Sequence, residues 1–125
     1  RPDVAERELV GMIEAGAFSQ TTALFCLADN VALAALRALS SKGLQVPRDI
    51  SVLGFDDAVA GEMTSPALTT VHAPLKEIAR AALDELERQF REHAHGEPMR
   101  RVELGCQVIE RGSCAGPRLS QTLVR

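Results

Sequence analysis

The chain has 125 residues, enough for one compact domain with a core of its own. With 46% hydrophobic and 25% charged residues, its composition is neither disordered nor fibrous. The 17 acidic and 14 basic residues give a formal net charge of -3 and are scattered along the chain, which argues against a surface that grips nucleic acid alone, since such surfaces concentrate basic residues against phosphates.

Taken in chain order, Asp3 and Glu6 have capping-box spacing, and Ala5, Leu9, Met12, Ile13 and Gly16 share one helical face, predicting a first helix over residues 4–15. Thr22 to Leu27 is a short apolar run of the kind expected for a parallel strand covered on both faces. A second helix starts at Asn30, with Ala32, Leu33, Leu36 and Leu39 apolar, and closes on Lys42-Gly43-Leu44 as a basic last turn with a glycine cap. Ile50 to Gly54 is another buried-strand run. Residues 22–54 therefore form a strand-helix-strand unit, whose right-handed crossover makes the two strands parallel.

Ala58 to Thr70 carries too much Gly, Pro, Ser and Thr for a packed element and is expected to be a loop. Leu75, Ile78, Ala79, Ala82, Leu83, Leu86 and Phe90 mark a long amphipathic helix, with Asp84/Arg88 and Glu87/Arg91 as ion pairs on its wet face. His95-Gly96-Glu97-Pro98 breaks it. Val102, Leu104, Cys106 and Val108 then alternate with polar residues as in a half-exposed strand, and everything past Ser113 reads as a loose tail.

Cys26, Cys106 and Cys114 form no CxxC pair and read as reduced structural thiols, and His72, His93 and His95 add no zinc spacing beside them. No cofactor and no metal is expected. No apolar run approaches the ~20 residues of a membrane span, and Arg1 opens an amphipathic stretch instead of a signal peptide, so a cytoplasmic setting without membrane partners is expected. A start without Met, directly inside a helix, reads as a fragment of something longer.

Ligands of open parallel sheets bind beyond the carboxyl ends of the strands. Two strand runs here end in carboxylates, Asp29 and Asp56, one strand-helix-strand unit apart, so both are expected to face one crevice. Asp29 stands just before a helix and reads first as a cap for its amides, with ligand contact as the alternative. Asp56 is followed by another Asp and no obvious helix. It reads either as an acceptor holding two hydroxyls through charge-assisted bonds or as an Asx-type turn. An acid/base pair is the third possibility for the two carboxylates, but no Ser/His or Cys/His arrangement, glycine-rich phosphate loop or HExxH accompanies them, and no enzymatic activity is expected.

Three stretches together resemble the LacI/GalR family of bacterial transcription regulators. They are Ala28 to Leu39 (ADNVALAALRAL), Gly43 to Asp57 (GLQVPRDISVLGFDD) and Ser65 to Val71 (SPALTTV), and Val108 to Ser113 is similar to the family's closing strand. The resemblance implies an α/β fold: the C-terminal subdomain of a sensor of the periplasmic-binding-protein-like type I, a parallel-sheet three-layer sandwich. Residues 1–125 would be the C-terminal portion of the effector-binding and dimerisation domain. An N-terminal helix-turn-helix and a first subdomain would lie outside the chain, and operator DNA would be met only through that helix-turn-helix. A small, sugar-like molecule bound in the cleft would modulate operator binding by favouring one arrangement of the two subdomains.

Carried over by position, the first Asp of the "GFDD" motif, Asp56, is a common effector ligand in the family, and Asp29 matches a mostly structural Asp. Ala28 stands where a polar contact is frequent. Pro2 stands near the position of an aromatic that stacks on the effector. Family homodimers pair through the second helix and the loop after "GFDD", which here implicates Ala32, Ala35, Leu36 and Leu39, with Met63 and Leu68. In the family the chain after "LTTV" crosses to the other subdomain, so residues 75–95 would pack there; without that half, the helix is expected to dock on a neighbouring chain or to be poorly ordered. A periplasmic sugar-binding protein of a transport system is the alternative on the same fold, and a plain dimerisation module with a degenerate pocket is another.

Overall fold

The computed structural model describes residues 2–91 and 100–116, without the side chain of Pro2. The elements are α1 (Pro2–Glu14), β1 (Ala23–Phe25), α2 (Asp29–Ser41), β2 (Ser51–Phe55), α3 (Val59–Glu62), β3 (Thr69–His72), α4 (Leu75–Arg91) and β4 (Gln107–Ile109). The sheet order is β1-β2-β3-β4, with β1, β2 and β3 parallel and β4 antiparallel to β3. The strand-helix-strand unit from β1 to β2 is parallel, as crossover chirality requires.

Helix α1 begins at Pro2, earlier than the apolar spacing indicates, and Asp3 lies inside its first turn instead of capping it. Proline is well placed there because a first-turn N–H has no intrahelical partner to lose. Leu9 and Ile13 of α1 pack against the core around α2, and the ion pairs Glu6–Arg37, at 2.7 Å, and Glu14–Lys42 tie the two helices together. The glycine stop of α2 is present: Gly43 has φ 74°, Leu44 N–H donates to Leu39 O at 3.0 Å and Gly43 N–H donates to Ser40 O at 3.0 Å. That pair of bonds satisfies the last carbonyls of the helix in the Schellman manner.

The core lies between α2 and the sheet, built from Cys26, Ala32, Ala35, Leu39, Ile50, Val52 and Leu68. Strand β1 is shorter and barer than a strand covered on both faces. Phe25 is 58% exposed and Leu27 82% exposed. The reason is position: β1 is an edge strand, and among the described residues α2 packs on the sheet while α1 packs chiefly on α2. Val52 belongs to the core and Leu24 packs against it, whereas Ala23, Phe25, Ser51 and Leu53, together with part of Leu24, line an open groove of about 820 Å³.

Residues 58–70 are more ordered than their composition indicates. α3 forms within them, Leu68 is fully buried against Gly61, and β3 begins at Thr69, a strand that the Ser/Thr-rich composition conceals. The alternating run from Val102 to Val108 forms a strand only over Gln107–Ile109. The stretch after Ser113 is tied down at first: Ser113 is fully buried, accepts from Thr69 N–H at 2.8 Å and donates to Val52 O at 2.5 Å, and Ala115 N–H donates to Ser51 Oγ at 3.1 Å. Ser113 thereby fills the gap between β2 and β3 before their own ladder begins.

Helix α4 is regular but buries none of its residues. Leu75, Leu83, Leu86 and Phe90 are exposed, and Ile78, Ala82 and Glu85 share a shallow groove with Val102 and Leu104. Among the described residues its ion pairs include Glu87–Arg91 at 3.0 Å, as the spacing indicates, and Glu85–Arg88 at 2.7 Å. The bidentate Arg88 holds the Glu85 carboxyl down to about 2. The helix break at 95–98, with His93 and His95, lies outside the described residues.

Candidate functional site

The carboxyl ends of β1 and β2 carry the two acids singled out by the sequence, and the fold treats them differently. Ala28 is the N-cap of α2, extended at φ -157° and without a side-chain bond to the helix, and Asp29 is the first helical residue. The capping role expected of Asp29 is therefore corrected. Its side chain turns away from its own helix and is 1% exposed. One oxygen accepts the backbone N–H of Ala58 at 2.7 Å and the other accepts the Thr70 hydroxyl at 2.6 Å, so a single buried carboxylate joins α2, the loop after β2, and β3. Pairing of this kind is what makes a buried charge tolerable.

Room for that carboxylate comes from Gly54. A Cβ on Gly54 would collide with Asp29 Oδ1 and meet Leu68 Cδ2 at 3.0 Å, so the glycine of the "GFDD" motif is a steric requirement at this crossing. The nearby Cys26 thiol is pushed up, chiefly by burial and then by the Asp29 charge, and stays protonated and unreactive.

Asp56 has the opposite environment. It is exposed, and no hydrogen bond or ion pair engages its carboxylate among the described residues. Its backbone sits at φ 112° and that of Asp57 at φ 57°, two consecutive non-glycine residues in positive-φ space. Such residues cost free energy and persist only where their surroundings hold them. The holding contacts are present. Asp56 N–H donates to Val71 O at 2.9 Å, and Asp57 N–H reaches Thr70 Oγ1 at 3.4 Å.

The Asp57 carboxylate is clamped from two sides, by Arg111 Nη2 at 2.7 Å and His72 Nδ1 at 3.1 Å. Arg111 also contacts Glu62 at 2.9 Å, donates to Leu68 O at 2.9 Å, and offers its backbone N–H to Thr69 Oγ1 at 3.0 Å. The Arg111 bond holds the Asp57 carboxyl below the usual carboxylate range, with His72 adding to the effect, and Asp57 in turn raises the guanidinium of Arg111. Both stay charged across the neutral range.

Asp29 and Asp56 thus flank the same turn, but they do not share a crevice: one faces inward, the other faces solvent. Ala28 is half-buried beside them and has no polar side-chain atom, and the side chain of Pro2 lies outside the described residues. Sequence reasoning passed over Thr70, Asp57 and Arg111. Their signal was present, since Thr70 lies in "SPALTTV" and Arg111 in "VIERGS", but a hydroxyl and a guanidinium acquire roles here only through partners 13 to 54 positions away. Of the residues implicated in pairing, Ala32, Ala35, Leu39 and Leu68 are buried in the chain's own core and present no side-chain surface to a partner. Leu36 is half-buried and Met63 is 83% exposed.

Residues 2–114 match the family of the periplasmic binding protein-like domain. The chain belongs to that family. It is 40% identical over 93 residues to the HTH-type transcriptional repressor PurR of Aliivibrio fischeri, a match covering 74% of this chain and 27% of the repressor. The fold is similar to a LacI-family transcriptional regulator from Sanguibacter keddieii, with TM-score 0.81 and 30% identity over 93% of this chain and 43% of that one. It is also similar to the transcriptional regulator CelR in complex with cellobiose, with TM-score 0.79 and 28% identity over 90% of this chain and 33% of that one. The chain therefore spans about a quarter of the length of the curated relatives it matches. Among the described residues no helix is long and apolar enough to cross a membrane.

Proposed function

We propose that this chain is the effector-sensing part of a LacI/GalR-type transcription regulator of the cytoplasm, and that Asp56 contacts a small, sugar-like effector. The observation that carries the reading is the free, exposed Asp56 carboxylate, held at φ 112° at the carboxyl end of β2, in a fold similar to a regulator that binds cellobiose. A carboxylate so placed can accept two hydroxyl hydrogen bonds without first breaking a bond of its own. Binding of this kind needs no covalent chemistry, and the relatives are regulators, which favours the sensor over both an enzyme and a transport receptor.

The remainder of the reading follows from surfaces left open. The apolar residues Leu75, Leu83, Leu86 and Phe90 of α4 are proposed to pack on a second subdomain of the parent protein, because an apolar stripe of this length gains free energy only when covered. Homodimer contacts are assigned to Leu36 and Met63, and operator binding to a separate DNA-binding domain.

The test uses the full-length regulator. A set of mono- and disaccharides that includes cellobiose is screened by thermal shift, and any sugar that stabilises the wild type is titrated against Asp56→Ala. Loss of a charge-assisted pair should weaken binding by about tenfold or more. An unchanged affinity would remove Asp56 from the site.

A further inference from the structure

The threonine beneath the strained turn is fully buried in β3, and its hydroxyl meets the Asp29 carboxylate and the backbone amide of Asp57. Thr70 Oγ1 donates to Asp29 Oδ1 at 2.6 Å and lies 3.4 Å from the Asp57 N–H that points at it. Asp29 Oδ2 in turn takes the Ala58 N–H at 2.7 Å. The two amides that follow Asp56 are therefore both drawn toward one buried pair, Asp57 through the hydroxyl and Ala58 through the carboxylate.

We infer that Thr70 is a positioning residue for the effector contact: its hydroxyl couples the buried Asp29 to the Asp56–Asp57 turn and so fixes where the Asp56 carboxylate points. The inference rests on the reading of Asp56 as that contact. The direction of the bonds supports it. A threonine hydroxyl has one proton, and here Asp29 takes it, which leaves the lone pairs of the oxygen for the Asp57 amide. The buried carboxylate thus sets the polarity of the hydroxyl, and the hydroxyl presents an acceptor where the positive-φ backbone of Asp57 needs one. Arg111 and His72 act on the Asp57 side chain and cannot replace this backbone contact.

Thr70→Val removes the hydroxyl at nearly constant shape, and Thr70→Ser restores it. Crystal structures of the full-length protein carrying each change give the readout directly, as the φ angles of Asp56 and Asp57. In Thr70→Val, Asp57 should leave the left-handed region and the Asp56 carboxylate should swing with it; in Thr70→Ser both should return to the wild-type geometry. Should the valine variant not fold, Thr70→Ala is read in the same way. If either hydroxyl-free variant melts earlier but keeps both residues at positive φ, Thr70 merely stabilises and the inference is overturned. It is equally overturned if serine fails to restore the turn. Because these angles are read without a ligand, they are independent of the sugar titration of Asp56→Ala, so either claim can fail while the other stands.

Discussion

Asp29 and Asp56 are the same residue type at the ends of neighbouring parallel strands, and the two ends of the comparison could hardly be more different in environment. Asp29 is 1% exposed, with both oxygens bonded to protein; Asp56 is exposed, with neither oxygen bonded among the described residues. What separates them is the sequence around each. Gly54 opens space for the first carboxylate and Thr70 supplies its donor, whereas the second follows directly on Phe55 at a turn whose inward-facing groups are already taken by Asp29, Thr70 and Arg111. A carboxylate satisfied from within belongs to the scaffold. One left unpaired at a backbone angle that costs free energy contributes nothing to the scaffold through its side chain, which is the ground for the ligand contact proposed above.

The largest test of this contrast is Asp29→Ala. The change abolishes two hydrogen bonds to a charged acceptor and leaves the buried Thr70 hydroxyl without its acceptor, which should destabilise the fold by about 3 kcal/mol. Urea unfolding of the purified protein should show a lower midpoint with an unchanged slope. A loss near zero would mean that Asp29 is not part of the scaffold. Gly54→Ala probes the same contact from the other side. Its new Cβ would collide with the Asp29 carboxylate, at a cost of about 2 kcal/mol. In the Asp29→Ala background that cost should shrink, and simple additivity of the two changes would show that the crossing is not the cause.

Much of this was legible beforehand. Period 3.6 identified α2 and α4, the apolar run at 50–54 identified β2, and Gly43 marked the end of α2, because local chemistry alone decides these features. The LacI-like motifs located the turn at Asp56. The failures were tertiary. β3 was read as loop, since Thr69 and Thr70 look solvent-loving until Leu53 and Gly54 are known to pair with them. Ala32, Ala35, Leu39 and Leu68 lie in the chain's own core, which a string of small and apolar residues does not distinguish from a surface that meets a second copy. Asp29 was read as a cap because its true amide partner lies 29 residues away. The Asp57–Arg111 pair spans 54 residues and no local pattern announces it.

On the exposed side of the comparison the effects should be smaller and of opposite sign. Asp56→Gly removes the Cβ that makes φ 112° unfavourable, and although glycine adds freedom to the unfolded chain, the net should be a stabilisation of about 1 kcal/mol. Asp56→Ala keeps the Cβ and should lie within about 0.5 kcal/mol of the wild type. Thermal or urea unfolding of the two variants side by side isolates the strain. If glycine stabilises no more than alanine, the turn is not strained and the argument from backbone geometry to ligand contact loses its support.

The smallest effect is the pH dependence carried by Asp57, whose half-buried environment is intermediate between those of the two acids. Its carboxyl is held below the ordinary range by Arg111, with a contribution from His72. A depressed folded-state value means that the unfolded chain binds a proton more readily, so the stabilisation is fully present above the unfolded value of about 3.9 and is lost as pH falls through the lower folded value. Arg111→Met should take most of this away. Stability measured by urea between neutral pH and about pH 3 should then fall less steeply in Arg111→Met than in the wild type. An unchanged slope in Arg111→Met would show that the guanidinium does not hold the Asp57 carboxyl down and that the clamp is wrong.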